Sequence, residues 1–534
     1  MSAGAFRREL AERQPDPAGR RWSYVLYDQL SHDLGPLGAE DPGELGVVLI
    51  EDPGKARRRP YHKQKLAWVL GSGRQFALEL AERGIAVRHE VTSRGGVSPV
   101  LKRLAKELGP LRTLRPAERE ARADLGPALK AGAVELLDHD GWLTTTAQFE
   151  AACGAPPWRM DAFYRRVRQD SGILMEGGKP VGGKYSYDAE NRLKWKGDPP
   201  APELPRFRPT ETLREVGELI ESKFKKHPGT LDLGAIPTTR AQIERTWKWV
   251  REESLPIFGP YEDAMSRHSR NLFHTRLSPL MNLQRLSPAR VVRETLELDL
   301  PLASKEGFLR QVIGWREFMR HVHEATDGFR QVPDREGSLH RTPQDASGHA
   351  APNHLEAERP LPPTFWGGAP SGLACLDDTV EAVWEEGYSH HITRLMVLSN
   401  LATLLDVSPR ELTDWFWAAY VDAFDWVVEP NVLGMGTFAL GELLTTKPYT
   451  SGAAYLSKMG DHCETCAFDP KRTCPITRLY WAHLGRNAER LAGNPRVAMP
   501  LRSQAKRSAE QRAGDAACFE RVSAALSAGE RLEP

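Results

Sequence analysis

WSYVLYDQL (residues 22–30), GVVLI (46–50), QKLAWVLGSGRQFALELAERG (64–84) and the short run Ile85–Val91 set β-rich apolar segments around one helical segment. In 64–84 the apolar residues recur at helical spacing and a glycine closes the run. This strand–helix–strand rhythm predicts a parallel α/β layer over residues 20–150. GSGRQF, at 71–76, misses the spacing of a GxGxxG turn, so a Rossmann dinucleotide site is not expected there.

Outward from that layer the composition shifts. EGGKPVGGKYSYDAENRLKWKGDPPAPELPRFRP (176–209) is rich in Gly, Pro and charge, and its interleaved aromatic and acidic residues predict an ordered connector, within 151–215, lying over both halves. Beyond it, ETLREVGELIESKF, RAQIERTWKWVREE, PARVVRETLEL, FLRQVIGWREFMRHV and ITRLMVLSNLATLL are helical patterns, so residues 216–534 are expected to be all-α. A Pro/Gly/His-rich interruption at 326–370 is long enough to be functional.

At 534 residues the chain exceeds one ordinary core. Its 72 basic and 71 acidic residues leave a net charge of +1, which excludes a diffusely basic DNA coat and confines any nucleic-acid contact to a local patch. Arg57, Arg58, Arg59, Lys63 and Lys65 form the densest such patch, otherwise a solvated rim. No run approaches the ~18 apolar residues of a membrane helix, and the N-terminus lacks the apolar core of a signal peptide. A cytoplasmic monomer is expected.

Three of the six cysteines crowd into HCETCAFDPKRTCP, a C-x2-C-x7-C-P arrangement of Cys463, Cys466 and Cys474. Such bunching reads as a metal site before a disulfide. Cys375, in GLACLDDT, is the best fourth ligand. Spacing alone leaves a four-thiolate zinc site and an iron–sulfur cluster both open.

These residues, with VGGKYSYDAENR (181–192), TRLSPLMN (275–282), IGWREFMR (313–320), YSHHITRLM (388–396) and WVVEPNVLGMG (426–436), resemble the iron–sulfur bacterial cryptochromes and photolyases, which include the prokaryotic (6-4) photolyases. The resemblance spans almost the whole chain. It implies a [4Fe–4S] cluster on Cys375, Cys463, Cys466 and Cys474, and an all-helical FAD domain behind a photolyase-like antenna domain. It places the FAD pyrophosphate at the Thr275, Arg276, Leu277, Ser278 turn, with Asn282 continuing the site and Tyr261 upstream. A helix start offers free N–H groups and a favourable dipole to phosphate. Arg316, Arg394 paired with Asp422, Asn431 and Met435 are implied around the flavin ring, where a fixed cation favours the reduced anionic form. Val428 or Glu429 stands where many relatives carry a carboxylate.

The resemblance also implies a lesion pocket of Gln311, Trp315, Asp188, Arg192, His390 and His391, with His391 as proton donor. Trp415 and Trp366 are the implied electron relay. Phe416 and Phe424 stand where relatives often have tyrosine, which would reroute the path through Tyr420 or Trp417. A 6,7-dimethyl-8-ribityllumazine antenna is implied near Asp28 and Gln29, although Lys55 and Arg58 replace the usual acid and tyrosine. The function implied is light-driven repair of (6-4) photoproducts in UV-damaged DNA. The alternatives are a blue-light photoreceptor with the same cofactors and a helical iron–sulfur nucleic-acid-binding module.

Overall fold

Residues 4–92 and 95–534 are described by the computed structural model. Five strands, β1 (Arg21–Tyr24), β2 (Leu45–Glu51), β3 (Ala86–Val91), β4 (Leu111–Leu114) and β5 (Val134–Leu137), form one parallel sheet in the order β3-β2-β1-β4-β5. The register sets Arg21 against Leu45 and Gly46 against Ala86. Both faces are covered, one by Phe6, Leu10, Phe76 and Leu80, the other by Leu101, Leu104 and Leu125. Helices on both faces are what a parallel sheet needs, because neither face can meet water.

The first predicted strand is shorter than its apolar run. Val25 N still donates to Val48 O at 3.0 Å, but the chain then turns and Leu30 N donates to Leu283 O at 3.0 Å. Val25, Leu26 and Leu30 are therefore buried against other elements without extending the ladder. GSGRQF lies inside the helix Lys63–Glu82. A Cβ at Gly71 would sit 2.6 Å from Leu213, so glycine here lets the helix Glu211–Lys223 approach closely.

Helices Thr146–Cys153 and Met160–Ser171 send Phe149, Phe163, Tyr164 and Val167 into the large helical core. The segment that follows is mostly irregular, tied down by Tyr187 N to Glu306 (2.9 Å) and Asn191 to Glu262 (2.7 Å). The remainder is helical with one exception to the all-α expectation. Within the long interruption, Gln331–Pro333 and Leu339–Arg341 pair as a short antiparallel hairpin. Four helices widen into π turns at Val250–Ser254, Arg310–Arg316, Thr393–Ser399 and Glu429–Gly436. Among the described residues, no helix is long and apolar enough to cross a membrane.

Candidate active site

Three of the four π turns carry expected site residues: Gln311, Trp315 and Arg316 on the first, Arg394 on the second, Asn431 and Met435 on the third. Such a bulge shifts the register of the side chains beyond it and is frequent at functional sites. The second and third turns also meet closely, since a Cβ at Gly436 would lie 2.8 Å from Ser399 Oγ. Arg316, Arg394, Asn431 and Met435 all keep some accessible surface within otherwise buried elements.

Asp422 organises one wall. Arg394 donates to it through both terminal nitrogens at 3.0 Å, Ser278 Oγ donates to Oδ2 at 2.6 Å, and Asn282 Nδ2 donates to its backbone oxygen at 2.9 Å. A bidentate pair of this type fixes the guanidinium plane as well as its charge. The short helix Ser278–Asn282 begins after Leu277, and Arg276 before it adopts φ +50°. The Arg276 side chain turns to Asn271 Oδ1 (2.7 Å) and pairs closely with Glu386. Thr275 is half-buried on the same turn. Tyr261 packs against Phe273, its hydroxyl donating to Asp198 O at 3.3 Å. Opposite, Arg316 stacks over Trp142 (4.3 Å) and Trp426 (5.2 Å) and pairs with Glu317 (3.1 Å). Burial pulls its pKa down to about 10, against the opposing pull of Glu317, so it stays charged at neutral pH. Among the described residues its Nε has no hydrogen-bond partner.

Glu429 is already engaged by other side chains. Its carboxylate joins His323 and Arg410, each at 2.9 Å, and against the burial that would raise its pKa these partners hold it below the ordinary range. Val428 is buried.

At the mouth, His390, in the irregular stretch just before the helix, is buried, and His391, the first helical residue, is exposed. A third histidine joins them, His274, just before the TRLSP turn. Its ring stacks on His390 at 4.3 Å and meets His391 edge-on at 5.4 Å. Burial first, then the neighbouring histidines, depresses the pKa of His390, and burial does the same for His274, so both rings are neutral near pH 7. His391 Nε2 lies 3.5 Å from Asp263, which also faces Arg192 at 3.5 Å. Asp188 pairs closely with Arg192 and lies 3.8 Å from Arg310. Gln311 donates to the buried Glu262 at 2.5 Å, the same carboxylate that holds Asn191. Trp315 is half-buried beside Phe318. His274, Glu262 and Asp263 escaped the sequence reading, although each adjoins a quoted motif or residue.

The four cysteines line one small cavity with His462 and Phe468. All are free thiols. Burial raises the Cys375 pKa, and the other three thiols raise it further, so the four lie within electrostatic reach of one another. Trp415 is fully buried, and Trp366 is 45% exposed.

A cavity of about 390 Å³ opens beside the sheet, lined by Val25, Leu49, Leu66, Val97 and Phe424. Lys55 at its edge pairs closely with buried Glu118 and donates to Tyr27 Oη at 2.5 Å. The expected basic patch is not a free one: Arg59 faces Glu120 and Asp414, Lys63 pairs with Glu221, and Lys65 is buried, because this segment packs against the helical body.

A parallel sheet joined to a helical body is the architecture of photolyases. The crystal structure of a bacterial class III photolyase from Agrobacterium tumefaciens superposes with a TM-score of 0.55 at 15% identity, covering 95% of this chain and 98% of that one. Residues 21–234 match the family model described as deoxyribodipyrimidine photo-lyase-related protein. A (6-4) photolyase of Agrobacterium fabrum is 34% identical, over 91% of this chain and 96% of its own length. The chain belongs to the family of that (6-4) photolyase.

Proposed function

We propose that this protein repairs UV-induced (6-4) pyrimidine photoproducts in DNA with blue light, as a cytoplasmic monomer. The observation that carries the reading is the mouth: a half-exposed His391 beside Asp263, packed against neutral His390 and His274 and one helical turn from Arg394, the partner of Asp422. A lesion is unreachable within the stack, so it must be flipped out to meet such a pocket. His391 gives a proton to the lesion, while Gln311, Trp315, Asp188 and Arg192 bind its polar edges. Residues 20–150 serve as the antenna domain, 151–215 as the connector and 216–534 as the catalytic domain.

FAD fits the chemistry of these residues. Partly accessible Arg316, Arg394, Asn431 and Met435, an Arg316 Nε without a partner among the described residues and the Asp422 pair supply the fixed cations and polar groups that an anionic ring requires. Thr275, Arg276, Leu277, Ser278, Asn282 and Tyr261 take the pyrophosphate side. Bound and reduced, this cofactor supplies an electron under light and recovers it when the bases part. The four cysteines hold a [4Fe–4S] cluster. Tetrahedral zinc, with bonds of about 2.3 Å, needs sulfurs ~3.8 Å apart. Among the described residues only the histidine trio brings three ligand atoms within 4.8 Å of one another, so no three of the four thiols come that close, a spread that suits a cluster better than one zinc ion. The apolar cavity beside the sheet takes 6,7-dimethyl-8-ribityllumazine, with Glu118 supplying the acid and neutralising Lys55.

A blue-light repair assay on a (6-4) oligonucleotide, beside a cyclobutane-dimer control, tests the reading. Wild type is expected to restore the (6-4) substrate, and His391→Ala to lose repair while keeping flavin. A wild type that binds flavin, photoreduces and leaves the lesion intact would be a photoreceptor instead.

A further inference from the structure

A net charge of +1 confines DNA contact to a local patch, and Arg59, Lys63 and Lys65 of the expected patch are engaged within the fold. The cations at the mouth therefore matter more. Arg192 is answered by Asp188 and Asp263, and Arg310 by Glu262 and Glu306. Two others stand apart, half-buried Lys447 and exposed Arg496. Among the described residues neither side chain has a carboxylate, a carbonyl or an aromatic ring as its partner.

Both lie on loops that the fold holds in place. Buried Asn494 donates through Nδ2 to Thr446 O at 2.9 Å and accepts from Arg496 N at 2.9 Å, so one amide fixes the backbone beside each cation. Pro448 stiffens the chain directly after Lys447. Further along, Ser451 N donates to Asn400 Oδ1 at 2.9 Å and Asn400 Nδ2 donates to Ser451 O at 3.2 Å. Asn400 sits on the helix that starts at His391. The next helix, Ala453–Met459, is tied to the other side of the mouth, where Met265 N, two residues past Asp263, donates to Met459 O at 2.9 Å. Lys447 and Arg496 thus share one frame with His391, Asp263 and Arg192.

Charge completes the picture. Burial lowers the pKa of Lys447, and Arg496 and then Arg192 lower it further, so three cations repel one another across the rim. Crowding of like charge works against the folded chain and is relieved by an anion. Cations fixed beside a pocket for an extruded base meet one anion by position, the DNA backbone on either side of that base.

We propose that Lys447 and Arg496 bind the backbone phosphates flanking the flipped-out nucleotide, with Asn494 as the positioning residue that sets them. This rests on the repair reading above. Phosphate contacts fix the register of the duplex over the pocket and carry no information about the base. Damaged and undamaged DNA gain from them alike, and His391 acts on what the register delivers.

The full-length protein is titrated against fluorescein-labelled duplexes, with and without one (6-4) photoproduct, over a series of salt concentrations. Lys447→Ala and Arg496→Ala are each expected to lower the slope of log affinity against log salt by about 1, on both duplexes. Flavin content should not change, and the thermal midpoint should not fall, since neither side chain has a partner to lose. Arg496→Lys keeps the charge and should restore the slope. Asn494→Ala, which frees both loops, should reduce it. Lys130→Ala removes an exposed cation at the end of the helix Arg119–Lys130, on the sheet domain, and should bind like wild type. Unchanged slopes for Lys447→Ala and Arg496→Ala, or an equal loss for Lys130→Ala, overturn the phosphate contacts, and the repair reading stands if wild type still restores the (6-4) duplex. A loss confined to the damaged duplex assigns the pair to the lesion itself and overturns the backbone role. Wild type that binds neither duplex overturns both.

Discussion

Asp422 is the residue on which the ring site turns. It is buried, and it answers Arg394 and Ser278 through its carboxylate and Asn282 through its backbone. Replacing it by alanine leaves a mostly buried guanidinium without its partner, a change that costs about 3 kcal/mol or more. Asp422→Ala is therefore expected to purify with little or no flavin and a lowered denaturant midpoint, read from visible absorbance and urea unfolding. Asp422→Asn keeps the shape but loses the charge and should fall between. Arg394 was legible because it sits in YSHHITRLM, and Asp422 because the resemblance implies an aspartate partner for that arginine. His274 was not, because a single histidine in NLFHT has no pattern of its own. Its meaning comes from stacking on His390, which only tertiary packing creates.

At the scale of elements, the helix Lys63–Glu82 joins the sheet to the helical body through its cap. His62 Nδ1 accepts from Gln64 N at 3.0 Å, its Nε2 lies 3.1 Å from Trp384 O, and its backbone N donates to Ala418 O at 2.8 Å. Burial pulls its pKa from 6.5 down to about 4. Between those values the unfolded chain takes a proton at His62 that the folded chain refuses, so stability rises with pH across the window and is lost as pH falls through it. The effect is at most about 3 kcal/mol. His62→Asn is expected to flatten the dependence of the thermal midpoint on pH between 6.5 and 4, with wild type measured alongside. Periodicity located this helix to within two residues, because a 20-residue amphipathic run leaves little choice. It could not show that Val25–Leu30 leaves the sheet, since an apolar run reads the same whether a ladder or another element buries it. The hairpin Gln331–Pro333 with Leu339–Arg341 was equally hidden, its residues being largely exposed and without alternation.

Across the whole molecule, the cysteine cradle joins the helix Ala374–Glu386 to the segment His462–Cys474. A cluster there closes a loop of nearly a hundred residues, so its assembly is coupled to folding. Serine at any one of Cys375, Cys463, Cys466 or Cys474 should remove iron and sulfide together and lower the thermal midpoint by several degrees. Stoichiometric zinc without sulfide in the wild type would show a mononuclear site instead. Lys65 shows what such long-range ties accomplish. Its buried amino group donates to the carbonyls of Trp417 and Ala423, binding the first turn of the helix that lines the apolar cavity to the aromatic helix beside the proposed ring site. A pigment in the cavity and one at the ring site would then ride on a single rigid body. Their separation and mutual tilt are set by covalent lengths and hydrogen bonds, not by thermal wandering, and each photon caught at the first faces the same odds of reaching the second.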